Sequence, residues 1–194
     1  MATTGRLNTE GALRMLDLAL ASAGTNDMAM SIENNGASVE GESPRQYSDG
    51  KHRLDVLGYI LHAMRDPSGG TNAQLLMSHL HIVRRSDAAT ASIASLMRLD
   101  VRRLRLTLSI YRAGGDPGRE AEPMVQYIFN GARVAEIALL TGGATGVPCE
   151  IVRFAFRTLR IESASQTRTG ARSAVRSCEY GDGASEFEMT TYYD

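Results

Sequence analysis

Tryptophan is absent from this sequence of 194 residues, and phenylalanine occurs only four times. A hydrophobic core must therefore be built mainly from leucine, isoleucine, valine, alanine and methionine. The length suffices for one domain with such a core, or for one domain with an appendage. Hydrophobic residues make up 43% of the chain and charged residues 22%, which is ordinary for a globular protein.

Cysteine is scarce as well. Only Cys149 and Cys178 are present, whereas a structural zinc site needs about four ligands. The two can form a disulfide or remain free thiols, and free thiols in a reducing cytosol are the favoured interpretation. His79 and His81 form an H-x-H pair without further ligand motifs. A polar strip along a strand is therefore favoured over a metal site, and no metal is predicted.

Long apolar runs and a basic excess are also missing. No run approaches the ~20 apolar residues of a transmembrane helix. The apolar stretch near the start is interrupted by Arg14 and Asp17, so it does not predict a cleaved signal peptide. The formal net charge is −1, whereas proteins that mainly bind nucleic acid usually carry a basic excess. A membrane-spanning helix is thus not expected, and a nucleic-acid partner is disfavoured by the overall charge.

Motifs of catalysis and cofactor binding are not found. The segment TGGATG matches neither the dinucleotide fingerprint nor a P-loop, and no G-x-S-x-G elbow occurs. Cys149 beside Glu150 lacks a nucleophile signature, and Asp55 and Glu136 have no recognisable partner carboxylate. The sequence therefore predicts no catalytic residue, no cofactor and no enzymatic activity.

Apolar periodicity predicts two helices within a mainly β chain. One is Thr9 to Ala23, capped by Thr9, and the other is Ala88 to Arg98, capped by Ser86 or Asp87. Alternating or continuous apolar runs predict the strands. These are Met28–Glu33, Leu54–Met64, Met77–Arg84, Arg103–Tyr111, Met124–Asn130, Arg133–Leu140 and Glu150–Ser163, with a hairpin around Gly131 between the fifth and sixth.

Composition divides the chain into three parts. Residues 1–27 are predicted as a helical extension, 28–163 as a β-barrel domain and 164–194 as a polar C-terminal arm. The arm is basic and then acidic, with a late strand predicted at Phe187 to Tyr193. Short strands separated by glycine-rich turns favour a sandwich or barrel.

The strand Glu150–Ser163 has two unequal faces. Phe154 and Phe156 lie on a side that favours a core, whereas Arg153 and Arg157 lie on the other. Four arginines, Arg103, Arg105, Arg153 and Arg157, thus lie on polar strand faces. From the residues alone, these faces can meet solvent, nucleic acid, a partner subunit or the wall of a channel.

The order of these segments resembles the Hcp family, the haemolysin-coregulated proteins that form the inner tube of type VI secretion systems. The resemblance runs from about Met28 to Ser163. It is carried by MSIENNGASVEGES, GKHRLDVLGYILHAMRDPSGG, LHIVRRSDAATASIASLM, LTLSIYRAGGDPGREAEPMVQYIFNGARVAEI and EIVRFAFRTLRIES. Each segment alone is a weak signal, and their order and spacing together carry the comparison. We interpret the chain as a divergent member of this family, or as a related contractile-injection or phage tail tube subunit.

The resemblance implies a β-barrel with one flanking helix, to which the predicted N-terminal helix is added. It also implies six copies in a ring, and rings stacked into a hollow tube that a sheath drives into a target cell. The implied partners are further copies of the chain, the sheath, the spike or baseplate, and effectors. Delivery would occur from the cytoplasm without a signal peptide. A monomeric ligand-binding or enzymatic β-barrel is the alternative.

The resemblance also suggests two assembly surfaces. The first is a loop that reaches the adjacent ring, formed by Arg65, Asp66, Pro67, Ser68, Gly69, Gly70, Thr71 and Asn72. The second is the face with Arg103, Arg105, Arg153 and Arg157, which would line the lumen or meet a neighbouring protomer.

Overall fold

A computed structural model describes residues 7–21, 27–45, 47, 49–65, 75–111, 122–141, 146–166, 172–181 and 185–186. These residues form two helices and thirteen strands, so the mainly β fold class is confirmed. The helices are α1 (Thr9–Ala21) and α2 (Ala89–Arg98). The strands are β1 (Asp27–Asn34), β2 (Ala37–Ser38), β3 (Leu54–Asp55), β4 (Gly58–Ile60), β5 (Ala63–Arg65), β6 (Leu75–Met77), β7 (Leu80–Arg85), β8 (Leu104–Tyr111), β9 (Val125–Thr141), β10 (Pro148–Ala155), β11 (Thr158–Gln166), β12 (Arg172–Tyr180) and β13 (Ser185–Glu186).

Most strands belong to one antiparallel sheet in the order β2-β1-β8-β9-β10-β7-β4. Strand β3 also pairs with β1, and β11 pairs with both β9 and β12. A separate small sheet has the order β13-β6-β5, with β13 parallel to β6. The described helices are too short or too polar to span a membrane.

Strand β9 shows that the hairpin predicted around Gly131 is wrong. Residues 125–141 form one continuous strand of 17 residues. Gly131 has φ +62°, and the register of β9 with β8 shifts between Leu104 and Leu106. The glycine therefore allows a β-bulge that bends the strand without reversing it.

The predicted strand Glu150–Ser163 is two strands, because it breaks at Phe156–Arg157 opposite the Gly131 bulge. Strand β10 pairs with the second half of β9, whereas β11 pairs with its first half. Across the break, the Arg157 N–H donates to the Asn130 carbonyl at 3.0 Å. The two long segments thus form one bent ribbon.

Two other strand predictions are wrong in their bounds. Residues 54–64 divide into β3, β4 and β5, because each piece pairs with a different strand: β1, β7 and β6. Met77 belongs to β6, and β7 begins only at Leu80. The chain thus passes from one part of the barrel to another within a few residues.

Helix α2 has its predicted bounds to within one residue, but its N-cap is Ala88 and not Ser86 or Asp87 as predicted. The Asp87 carboxylate accepts the Ala89 N–H at 2.8 Å, and the Thr90 hydroxyl accepts the Asp87 N–H at 3.1 Å. In α1 the predicted Thr9 cap is wrong. The side chain of Asn8 instead accepts the Gly11 N–H at 2.6 Å.

The main core lies inside the barrel. Phe129 and Phe154 are fully buried there, together with Ile93 of α2. The prediction that the Phe154 side of its strand faces a core is thus confirmed. Its large, fully buried side chains include Met30, Ile32, Leu54, Leu80, Ile82, Ile93, Leu104, Leu106, Phe129 and Phe154.

The segment assigned from sequence to a polar arm contains a regular strand. Strand β12 pairs along β11, from Leu159 with Tyr180 to Gln166 with Arg172. The side chains of β12 from Ala174 to Glu179 are exposed, which agrees with the low apolar content of this strand. The late strand predicted at Phe187 to Tyr193 lies outside the described residues.

Candidate assembly surfaces

Helix α1 covers the outer face of the β4, β7 and β10 strands. Leu16 is fully buried there, and Val83 and Ile151 are almost fully buried beneath the helix. A Cβ on Gly58 would lie 3.2 Å from the Ala19 Cβ, so glycine permits the close approach of β4 to α1. The outer apolar cluster is Ala12, Met15, Leu16, Ala19, Leu57, Val83, Cys149 and Ile151.

This docking changes the interpretation of the outward face of β10. From sequence, the side with Arg153 was left open between solvent, nucleic acid, a partner subunit and the wall of a channel, but α1 of the same chain covers Ile151 on that side. The two cysteines are not bonded to each other, since Cys149 is buried under α1 and Cys178 is exposed on β12. Burial raises the pKa of the Cys149 thiol.

Arg153 lies next to this apolar cluster in a polar row across three strands. It is the register partner of His81 on β7 and of Glu136 on β9. Its guanidinium forms an ion pair with Glu136 at 3.0 Å, and its side chain is only 14% exposed. Burial, and then the nearby Arg153 charge, lower the pKa of His81 to about 4. Arg153 is therefore bound within its own protomer.

Arg103, Arg105 and Arg157 are exposed, and their surroundings differ from those of Arg153. Arg103 precedes β8, where Leu104 pairs with Ala132, so Arg103 lies opposite Arg133 of β9. The side-chain carbons of Arg157 lie against Gly131, 2.9–3.2 Å from the position of a Cβ there. That bulge is opposite Arg105.

Two arginines that the sequence reasoning did not single out, Arg102 and Arg133, join this surface. The Arg102 guanidinium donates to the Asp100 carboxylate at 2.7 Å. Arg133 is close enough to act electrostatically on Asp100. The hydrogen bond from Arg102 is the main cause that lowers the pKa of the Asp100 carboxyl. We call the five residues the arginine cluster: Arg102, Arg103, Arg105, Arg133 and Arg157.

The predicted ring-stacking loop lies between β5 and β6. Of its eight residues, Arg65 is described as the exposed end of β5. Asp66, Pro67, Ser68, Gly69, Gly70, Thr71 and Asn72 lie outside the described residues. The pairing of Ala63 with Met77 and of Arg65 with Leu75 makes the base of the loop a β-hairpin. Strand β13 pairs with the other side of β6.

A buried ion network closes the barrel at the start of α2. Arg84 and Glu150 are both fully buried and form an ion pair at 2.8 Å. Arg84 also contacts Asp87, whose second carboxylate oxygen accepts the Glu42 N–H at 3.1 Å. The Glu150 carboxylate is thus held in a buried ion pair with Arg84. No group of three metal-binding side chains occurs among the described residues.

Comparison with known proteins gives a match only at the level of structure. No family model matches the sequence, and no curated protein matches it either. A solved structure titled as a type six secretion system protein has a TM-score of 0.63 and 21% identity, over 78% of this chain and 91% of that one.

Two Hcp structures give the same result. Hcp1 from Salmonella typhimurium has a TM-score of 0.59 and 15% identity, over 80% of this chain and 95% of that one. The secreted protein Hcp3 from Pseudomonas aeruginosa has a TM-score of 0.56 and 14% identity, over 80% and 97%. The resemblance inferred from the order of the sequence segments is therefore confirmed for the fold, and the chain has the fold of the Hcp proteins of type VI secretion systems.

Proposed function

We propose that this protein is a structural subunit that forms six-membered rings, and that these rings stack into the hollow inner tube of a contractile secretion apparatus. The observation that carries the proposal is the extent of the fold match, which spans over nine tenths of each compared chain. At 14–21% identity this match concerns the fold, so the assembly is our inference. The activity is mechanical, without reaction chemistry.

The unpaired edges of the sheet support self-assembly. Within the part of the chain that the structure describes, β12 pairs with β11 alone, and its side chains from Ala174 to Glu179 are exposed on both faces. An exposed edge of this length is a template for pairing with another chain. In a closed ring each protomer offers one edge region to its neighbour, through the heterologous contacts that cyclic symmetry requires.

The interior of the barrel supports a structural role over the alternative of a ligand-binding or enzymatic monomer. Such a monomer needs polar groups converging on a cavity. The side chains that fill the described core are apolar, and the buried charges Arg84 and Glu150 are paired with each other.

The same proposal assigns partners and location. The partners are further copies of the chain, the sheath, the spike or baseplate, and effectors carried in the lumen. The subunit would assemble in the cytoplasm and leave the cell through the apparatus. We propose that the exposed face with Arg103, Arg105 and Arg157 lines the lumen or contacts the neighbouring protomer.

Light scattering coupled to size-exclusion chromatography tests the ring. We expect a particle of roughly six protomers, as the family resemblance implies. A monodisperse monomer at high protein concentration would contradict the proposal and favour the ligand-binding alternative.

Deletion of Pro67 to Asn72 tests the stacking loop. We expect rings of unchanged size that no longer form tubes in electron micrographs, since the hairpin formed by β5 and β6 would be too short to reach the next ring. A variant with six Gly/Ser residues in place of 67–72 controls for loop length. Tubes that form normally after the deletion would show that this loop is not needed for the stacking of rings.

A further inference from the structure

The arginine cluster contains two like charges that lie opposite each other on neighbouring strands. The pairing of Leu104 with Ala132 places Arg103 directly opposite Arg133. Like charges in such positions destabilise a sheet. An arrangement that lowers stability is expected in natural proteins chiefly where it serves a function. The pair therefore points to a ligand outside the sheet.

The carboxylates near the cluster do not balance its charge. Asp100 is one of them, and it accepts a hydrogen bond from Arg102 at 2.7 Å. Glu33 is the register partner of Arg105, but its carboxylate also lies 3.9 Å from the Lys51 ammonium. Among the described residues, the other four members of the cluster form no ion pair. The surface thus keeps an excess of positive charge that a ligand can neutralise.

The chemistry of this surface favours carboxylate groups on an extended segment. Guanidinium groups bind carboxylates through two parallel hydrogen bonds. Arg103 and Arg105 are alternate residues, so they lie about 7 Å apart, which is also the spacing of alternate side chains in an extended peptide. Met97 and Leu99 are 39% and 61% exposed. They lie beside Asp100 in the chain and offer apolar contacts to the same segment.

The lack of exposed aromatic rings favours a protein ligand over a nucleic acid. Proteins that bind single-stranded nucleic acid stack its bases on aromatic side chains. Within the ranges that the structure describes, no Phe or Tyr side chain is exposed. Tyr111, at the far end of β8, is only 6% exposed. The net charge of −1 also lacks the basic excess of nucleic-acid-binding proteins.

A different protein fits the surface better than a second copy of this chain does. Exposed carboxylates of the loop between β2 and β3 already have donors within their own protomer. Glu42 accepts the Ala88 N–H at 3.4 Å, and Asp49 forms an ion pair with Arg53 at 3.0 Å. A second copy would have to break such contacts to offer these groups, whereas a separate acidic segment would not.

We propose that the arginine cluster is the docking site for an extended, carboxylate-rich segment of a different protein, with an aliphatic residue that contacts Met97 or Leu99. The repulsion between Arg103 and Arg133 is relieved when the segment binds. The site lies within one protomer, so the proposal does not depend on the formation of rings.

Fluorescence anisotropy with a synthetic peptide tests this site in the full-length protein. The probe is the rhodamine-labelled peptide Glu-Ser-Glu-Leu-Glu-Ser-Glu, and its control has glutamine in place of every glutamate. We expect saturable binding of the glutamate peptide and no binding of the control. Binding should be lost in 0.5 M salt, because the Debye length then falls to about 4 Å.

Charge variants make the test specific to the cluster. Arg103→Gln with Arg105→Gln should weaken peptide binding about fivefold, the factor expected for two lost exposed ion pairs. Arg14→Gln with Arg176→Gln removes the same charge from exposed positions on α1 and β12 and should leave the affinity unchanged. Equal weakening in both variants, or unchanged affinity in the first, would overturn the site.

Urea denaturation separates a binding role from a structural one. Because Arg103 and Arg133 repel each other, Arg103→Gln should maintain or raise the urea midpoint of unfolding while it weakens binding. A lowered midpoint would contradict the repulsion on which the proposal rests.

The other occupants are outcomes of the same titration. A single-stranded thymidine oligonucleotide with as many negative charges as the peptide is the second probe, and tighter binding of this probe would overturn the assignment to a protein ligand. Light scattering is recorded on the same samples. Particles that dissociate when the peptide binds would show that a second copy occupies the surface, which would also overturn the proposal. A monomer that binds the peptide would contradict the ring and support the site, so the two failures are distinguishable.

Discussion

At the scale of single residues, the buried charges of the Arg84 network depend on one another. Fully buried ions are stable only when their partners remain, because removing one leaves an uncompensated charge in a medium of low polarity. Arg84 has Glu150 on one side and Asp87 on the other. The network therefore links β7, β10 and the start of α2.

Glu150→Gln should lower the free energy of unfolding by about 3–5 kcal/mol, since Arg84 loses its buried partner. Glu162→Gln is the matched control, because its partner Arg160 is 48% exposed and such pairs contribute about 1 kcal/mol or less. Urea denaturation measures both. Equal effects of the two substitutions would contradict the account of a buried network.

His81 predicts a pH dependence of stability. Its pKa is lowered to about 4 in the folded protein by burial and by Arg153, below the unfolded value of about 6.5. The folded state thus disfavours the protonated form. The stabilisation is full above about pH 6.5 and falls by up to about 3 kcal/mol as the pH drops towards 4.

Denaturation of the wild type and of His81→Gln between pH 4 and 7 checks this contribution. The difference between their pH profiles isolates His81 from Asp55, whose pKa is raised by burial. Asp55 acts in the opposite direction, because protonation of a buried carboxyl favours the folded state as the pH falls. Parallel profiles for the two proteins would exclude His81 as the cause.

At the scale of elements, α1 is held by one buried stripe. Leu16 is fully buried against the outer cluster, whereas Leu18 on the same helix is 63% exposed. The helix has 13 residues, and a helix of that length is marginal alone in water. Its docking thus depends on these contacts.

Leu16→Ala should destabilise the docked helix by about 2–5 kcal/mol, whereas Leu18→Ala should change stability by about 0.5 kcal/mol or less. The Cys149 thiol reports the docking, because it is buried beneath α1. In a Cys178→Ser background, Leu16→Ala should accelerate the reaction of Cys149 with a thiol reagent, and Leu18→Ala should not. Equal rates in all three proteins would show that α1 does not protect this thiol.

At the scale of the whole molecule, β12 lies at the edge of the described sheet. Strand β8 has neighbours on both sides, β1 and β9, whereas β12 has β11 as its single neighbour among the described residues. An assembled ring, as proposed above, would give β12 a second neighbour or cover it.

Hydrogen exchange tests this coverage. Backbone amides of residues 174–179 should exchange more slowly in rings than in dissociated protomers, since unpaired amides at an edge are open to solvent. Amides of β8 are the internal control and should exchange alike in both states. Exchange of β12 that is independent of assembly would place the protomer interface elsewhere.

The local pattern of residues was sufficient to predict several elements of the structure. The helical spacing around Ile93 and the polar residues before it predicted α2, because periodicity and capping are local properties. Alternation in β10 predicted that Phe154 faces the core, where it is fully buried. The order of the segments was sufficient to indicate the Hcp fold.

Other features depend on which strands pair. Gly131 permits both a turn and a bulge, and only the continued pairing of β9 with β10 decided for the bulge. The exposed residues of β12 carry no apolar alternation, so its strand conformation comes from its hydrogen bonds with β11. Arg133 is distant from Arg103 along the chain, and only the pairing of β8 with β9 brings the two residues together.

The sequence by itself determined that the chain is mainly β, that α2 forms, and that Phe154 is buried, because these follow from the alternation and periodicity of neighbouring residues. Only the tertiary structure decided what covers the opposite face of β10. There, α1 packs on Ile151, Glu136 pairs with Arg153, and Arg157 joins the exposed arginine cluster. The physical reason is that burial and charge pairing depend on residues distant in the chain, which no local pattern contains.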